Sequence, residues 1–112
     1  MAFAIRLAVE PVRKLAFGAI GGAYTGIGTQ MTRPIRIFVL QNLTDVTLMF
    51  SLNGIDDNIP LPRNGYMLLD ITSNRGMANE YMLAQGSRVY VQAPAGLPTT
   101  GAVYLTTFYG AE

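Results

Sequence analysis

The sequence predicts an all-β protein, an antiparallel β-sandwich of jelly-roll type with an extended glycine-rich N-terminal arm. Three observations carry that expectation. From Pro34 onward, apolar and polar residues alternate with the period of two that a strand imposes. Clusters of Gly, Pro, Asn and Asp interrupt the alternation about every eight to twelve residues, the spacing of a sandwich of short strands. Before Pro34, the glycines at 18, 21, 22, 26 and 28 leave a stretch unsuited to a regular helix or a well-packed strand. The expected organisation is an arm over residues 1–34 and a β-domain over residues 35–112.

Taken in order, Phe3, Ile5, Leu7 and Val9 alternate with Ala2, Ala4, Arg6, Ala8 and Glu10, which favours a strand, although the Ala and Leu content also admits a short helix ended by Pro11. Residues 35–40 (IRIFVL) are apolar on both faces apart from Arg36, the pattern of a central strand covered on both sides. Residues 42–45 form a turn. Val46, Leu48, Phe50 and Leu52 then share one face of the clearest strand in the chain. Asn53-Gly54 follows at once and suits a type I′ hairpin turn, in which both central residues need positive φ. Pro60 and Pro62 remove ladder donors, so their segment is an edge strand or a connection. Asn64-Gly65 turns the chain into a strand over residues 66–71, and residues 77–84 have no clear period. Val89 and Val91 face inward in a further strand, and the β-branched and aromatic residues 102–109 make the last one.

Composition removes most chemistry. The 112 residues are half apolar and 13% charged, enough for a single compact domain with a core and unlike a disordered chain. There is no cysteine and no histidine, which excludes a disulfide, a Cys/His zinc site and the Ser-His-Asp and Cys-His nucleophile pairs. The glycines match neither dinucleotide nor P-loop spacing, and the single lysine, Lys14, precedes them. Asp56-Asp57-Asn58 lacks EF-hand spacing and reads as a solvated hairpin loop. Asp70 has no acid, nucleophile or metal partner in the sequence pattern and reads as a turn cap. No catalytic residue, metal ligand, cofactor or small-molecule substrate is expected.

Charge distributes unevenly. Residues 1–36 hold five basic residues against one acid, +4, and residues 37–112 hold three Arg against six acids, −3. The whole chain is only +1, too little to steer it to nucleic acid. The uncharged run 15–32 is long enough to span a bilayer, but its glycines, threonines and Gln30 argue against a membrane helix. Two readings of the arm stand side by side. In one, its charges are simply solvated beside a packed strand. In the other, Arg13, Lys14, Phe17, Tyr24, Met31, Arg33 and Arg36 form a partner-binding segment that lies on another subunit.

Beyond these patterns, RIFVLQNLTD at residues 36–45, SLNGIDD at 51–57, IPLPRNG at 59–65, LDITSN at 69–74, GSRVYV at 86–91 and TGAVYL at 100–105 resemble small structural proteins of tailed-bacteriophage virions. The resemblance spans about residues 18–110 and lies in strand-and-turn pattern, so no functional motif is carried over. It implies a non-enzymatic virion protein, chiefly a decoration, cement or staple protein that binds the capsid and clamps neighbouring capsomers. A head-to-tail connector or tail ring subunit is the alternative, followed by a β-sandwich module for carbohydrate or a host surface, with Tyr66, Tyr90 and Tyr104 as stacking groups. The implied partners are the major capsid protein or other virion proteins and further copies of the chain. The implied location is the virion, assembled in the bacterial host cytoplasm.

Overall fold

The computed structural model describes residues 6–70 and 86–111. The chain forms β1 (Arg6–Val9), β2 (Arg13–Ala16), a 3-10 turn (Phe17–Ala19), β3 (Thr25–Gly26), β4 (Ile37–Asn42), β5 (Leu48–Ser51), β6 (Ile59–Leu61), β7 (Tyr66–Asp70), β8 (Tyr90–Gln92) and β9 (Ala102–Ala111). It is all-β with almost no helix. Every strand pairing is antiparallel, and the strands form two sheets. One sheet runs β1-β9-β4-β7, with β2 also on β9; the other runs β3-β8-β5-β6. The arrangement is compatible with a β-sandwich. Expected features at Phe3, Ile5, Ile71 and residues 77–84 lie outside the described residues.

Alternation places the core between the sheets. Phe38 and Leu40 from β4 and Val103 and Leu105 from β9 join Leu48 and Phe50 from β5, Leu61 from β6 and Val91 from β8 in one buried cluster. β4 is central, as its apolar sequence suggested, because β7 and β9 flank it. β6 is an edge strand, as Pro60 requires. The β5–β6 hairpin forms too, with Leu48 opposite Leu61. Its connection is not a two-residue type I′ turn, since Gly54 has positive φ and Asn53 does not. Asn53 instead accepts hydrogen bonds from the backbone of Ile55 and Asp56 at 2.9 Å each, and this side-chain bonding stabilises a longer loop.

Residues 6–34, expected as an arm outside the β-domain, are placed within it. β1 and β2 are two halves of one strand along β9: Val9 stands opposite Phe108 and Arg13 opposite Leu105. Three residues therefore face two, which makes a β-bulge over residues 10–12. The glycine-rich stretch that follows contributes Ile20, Ile27 and Met31 to the core cluster. Gly26 and Gly28 admit neighbours at close range. Gly28 has φ +64°, and a Cβ there would stand 2.9 Å from the Arg13 side chain. The ordering cost of such a segment is offset by burial of three large apolar side chains and by the polar cluster described next.

Candidate interaction surface

The β-bulge turns a charged pair inward. Arg13 and Glu10 are both buried and form an ion pair at 3.0 Å. The Arg13 guanidinium also donates to the carbonyls of Thr29 and Gln30 and to the Thr107 hydroxyl, at 2.8, 3.0 and 2.8 Å. Glu10 accepts from the Thr107 hydroxyl at 2.6 Å, from the Thr32 backbone N–H at 3.0 Å and from the Thr32 hydroxyl. Burial alone would push the Glu10 carboxyl up; the hydrogen bonds from Thr107, Thr32 and Arg13 outweigh it and lower the group to about 2. This cluster ties β1, β2, β9 and the glycine-rich segment together. An open cleft lies beside it, lined by Pro11, Val12, Lys14 and Thr29 among others. Among the described residues, every buried side-chain nitrogen and oxygen has a hydrogen-bond partner. The cleft therefore holds no orphaned polar group aimed at a ligand, and the cluster acts as a structural strut.

The surface capable of binding lies on the outer face of the β4/β9 sheet. Phe38, Leu40 and Asn42 face the core, so Ile37, Val39 and Gln41 face outward and are only half-buried. The strand registers extend this row across the sheet. Val9, Phe108, Ile37 and Asp70 lie side by side; Thr106, Val39 and Leu68 form the next row; Lys14, Tyr104, Gln41 and Tyr66 form the third. Leu7, Val9, Val12 and Leu68 are each more than half exposed. With exposed apolar side chains on it, this face is the candidate interaction surface. The Lys14 ammonium sits 5.8 Å from the Tyr104 ring and is the one cation among these rows.

The structure does not gather the seven residues expected to bind a partner. Arg13 is consumed by the buried cluster and Met31 by the core, so neither presents a surface; this corrects their expected role. Arg13 is drawn inward because Glu10 neutralises it and backbone carbonyls accept its remaining protons. Lys14 lies on the apolar outer face. Phe17 is exposed in the 3-10 turn. Arg33 lies 4.8 Å from the Tyr109 ring, and the Arg36 backbone N–H donates to Phe108 at 2.9 Å, near one end of the sheet. The Tyr24 hydroxyl donates to Asp57; burial and that carboxylate raise it to about 12. Asp57 also accepts from Gln92 at 3.2 Å, and Asp56 accepts from Asn53 at 2.8 Å, so the acidic loop is occupied with its own neighbours.

Sequence reasoning passed over the outer face although its signal was present. The double-sided apolar pattern of residues 35–40 suggests burial on both sides; Ile35 does enter the core, but within β4 only the side of Phe38, Leu40 and Asn42 reaches it. The alternating Leu7 and Val9 also point outward, while Ala8 sits on the inner side opposite Tyr109. Among the described residues, no helix is long and apolar enough to cross a membrane. Comparison with protein-family models, with curated proteins and with solved structures gives no match.

Proposed function

We propose that the chain is a non-enzymatic structural protein of a tailed-bacteriophage virion, a jelly-roll decoration or cement protein whose apolar sheet face clamps capsid subunits. The observation that supports this reading is the strand order. With β1 and β2 counted as one bulged strand, one sheet takes the first, eighth, third and sixth strands in that order. The other takes the second, seventh, fourth and fifth. That order supports a double-sheet jelly roll of eight strands, an architecture shared by viral capsid and lectin domains. The outer face of β4 and β9 offers the broad, weakly charged contact a cement needs, and such binding requires no titratable catalytic pair.

Quantitative mass spectrometry of purified particles tests the proposal. Hundreds of copies per particle, together with density spread over the shell in electron microscopy, support decoration. A dozen copies or fewer confined to one vertex would replace it with the ring-subunit reading, and absence from particles would remove both. The lectin kinship of the architecture keeps a second reading in view. Tyr66 and Tyr104 flank Gln41 in one outward row, spaced as stacking groups for a sugar, whereas Tyr90 belongs to the other sheet. Glycan binding by the isolated protein, lost on Tyr66→Ala, would favour that reading.

A further inference from the structure

Three of the four sheet edges among the described residues are blunted against strand addition. The β1/β2 edge carries the bulge, Pro11 and Lys14; the β6 edge carries Pro60; β3 is two residues long. β7 is the exception. Its five residues, Tyr66–Asp70, contain no Pro, Lys or Gly, and among the described residues they pair with β4 alone.

The direction of its backbone groups follows from the ladder. Asn42 N–H donates to the Gly65 carbonyl at 2.8 Å, while the Gly65 N–H closes the preceding turn on the Pro62 carbonyl at 2.9 Å; in this register Met67 and Leu69 turn their N–H and C=O groups toward β4. Tyr66 and Leu68 turn theirs outward, where no neighbouring strand lies among the described residues. Their side chains are 72% and 57% exposed.

We propose that β7 is a homotypic docking strand, pairing antiparallel with β7 of a second copy about a two-fold axis at Met67 and joining the two sheets into one. In that register, Tyr66 of each copy stands opposite Leu68 of the other, and each such pair exchanges two N–H···O bonds. The two exposed apolar side chains cover one another on the outer face. A slip of one residue sets outward-turned groups against inward-turned ones and loses the ladder. Charge favours the same arrangement. In that register Asp70 of the other copy stands opposite Asn64, next to exposed Arg63 in the turn entering β7, and the two-fold axis brings these opposite charges near one another twice. A second copy therefore fits this edge by symmetry and by charge. The pairing belongs to the isolated chain and does not depend on the virion reading.

A five-residue strand spans about 17 Å, so the contact falls short of the roughly 800 Å² per partner of a standard stable interface. The dimer is accordingly weak, and its detection needs a concentration series. Sedimentation velocity of the full chain from about 5 μM to about 1 mM should show a reversible monomer–dimer equilibrium. Leu68→Lys should raise its dissociation constant at least about tenfold while circular dichroism stays unchanged. Ile55→Lys, at an 80% exposed apolar position in the loop after β5, should leave it unaltered. Hydrogen exchange of the unaltered chain should show the Tyr66 and Leu68 amides gaining protection as concentration rises. A monomer at every concentration, a dimer indifferent to Leu68→Lys, or equally fast exchange of both amides at the two ends of the series would overturn the proposal. Should Leu68→Lys not fold, the exchange measurement decides alone.

Discussion

At the scale of single residues, Glu10 and Arg13 depend on one another. Removing one partner leaves the other buried and uncompensated, so Glu10→Ala should cost about 3–5 kcal/mol in a denaturant titration. The pair also gives stability a pH dependence whose sign is fixed. The folded Glu10 carboxyl titrates at about 2, below its ordinary 4.5. Its contribution is complete above about 4.5 and is lost as pH falls toward 2, a change on the order of 3 kcal/mol. Glu10→Gln should flatten that acid limb relative to the unaltered chain, as measured by urea midpoints between pH 5 and pH 2. Gly101 is the second residue on which the fold depends. It has φ +89°, and a Cβ there would lie 1.9 Å from the Leu43 carbonyl oxygen. Gly101→Ala should therefore destabilise by about 2–4 kcal/mol, read as a lower denaturation midpoint. Neither dependence was legible in the sequence. Glu10 and Arg13 look like ordinary surface charges until a bulge turns both inward, and Gly101 sits in a Pro/Gly loop where any glycine would seem sufficient.

At the scale of elements, β4, β5 and β9 were legible because apolar residues recur at every second position over four or more residues. Phe38 and Leu40, Leu48 and Phe50, and Val89 and Val91 all face the core as their periodicity required. The segment before β4 was not legible, because glycine signals the absence of regular structure without saying whether the chain is packed. Ile20, Ile27 and Met31 are isolated in sequence and become core residues through tertiary contact alone. Deleting residues 1–34 should therefore leave no cooperative domain: three core side chains go, β9 loses its neighbour on one side, and Thr107 loses Glu10 and Arg13. Circular dichroism with a thermal melt checks this, and a sharp transition from the truncated chain would contradict it.

At the scale of the whole molecule, the two faces of the β4/β9 sheet divide the work. One face builds the core and the other is free to contact a partner. Replacing Leu7 and Val9 with Ser should leave stability within about 0.5 kcal/mol of the unaltered chain, because both side chains are exposed. If the cement reading holds, the same variant should fail to load onto particles in a co-sedimentation assay; undiminished loading would exclude this part of the face as the contact. The face could have been recognised from the two-sided apolar pattern of β4, but sequence alone does not distinguish a face covered by its own chain from one covered by another.

The zipping of β1 and β2 onto β9 also sets an order of events in time. Glu10 and Arg13 meet Thr107 across separations of 97 and 94 residues, so the contacts that fasten the N-terminal part wait for the last strand to exist. During synthesis, the first strands leave the ribosome with no edge to join, and loop closure over that span is entropically costly. Folding of this part of the molecule then waits for β9 and is slow, on the order of milliseconds to seconds. Until residues 102–111 emerge, the nascent chain displays Ile20, Ile27 and Met31 to its surroundings, and its yield in a cell depends on how long that interval lasts.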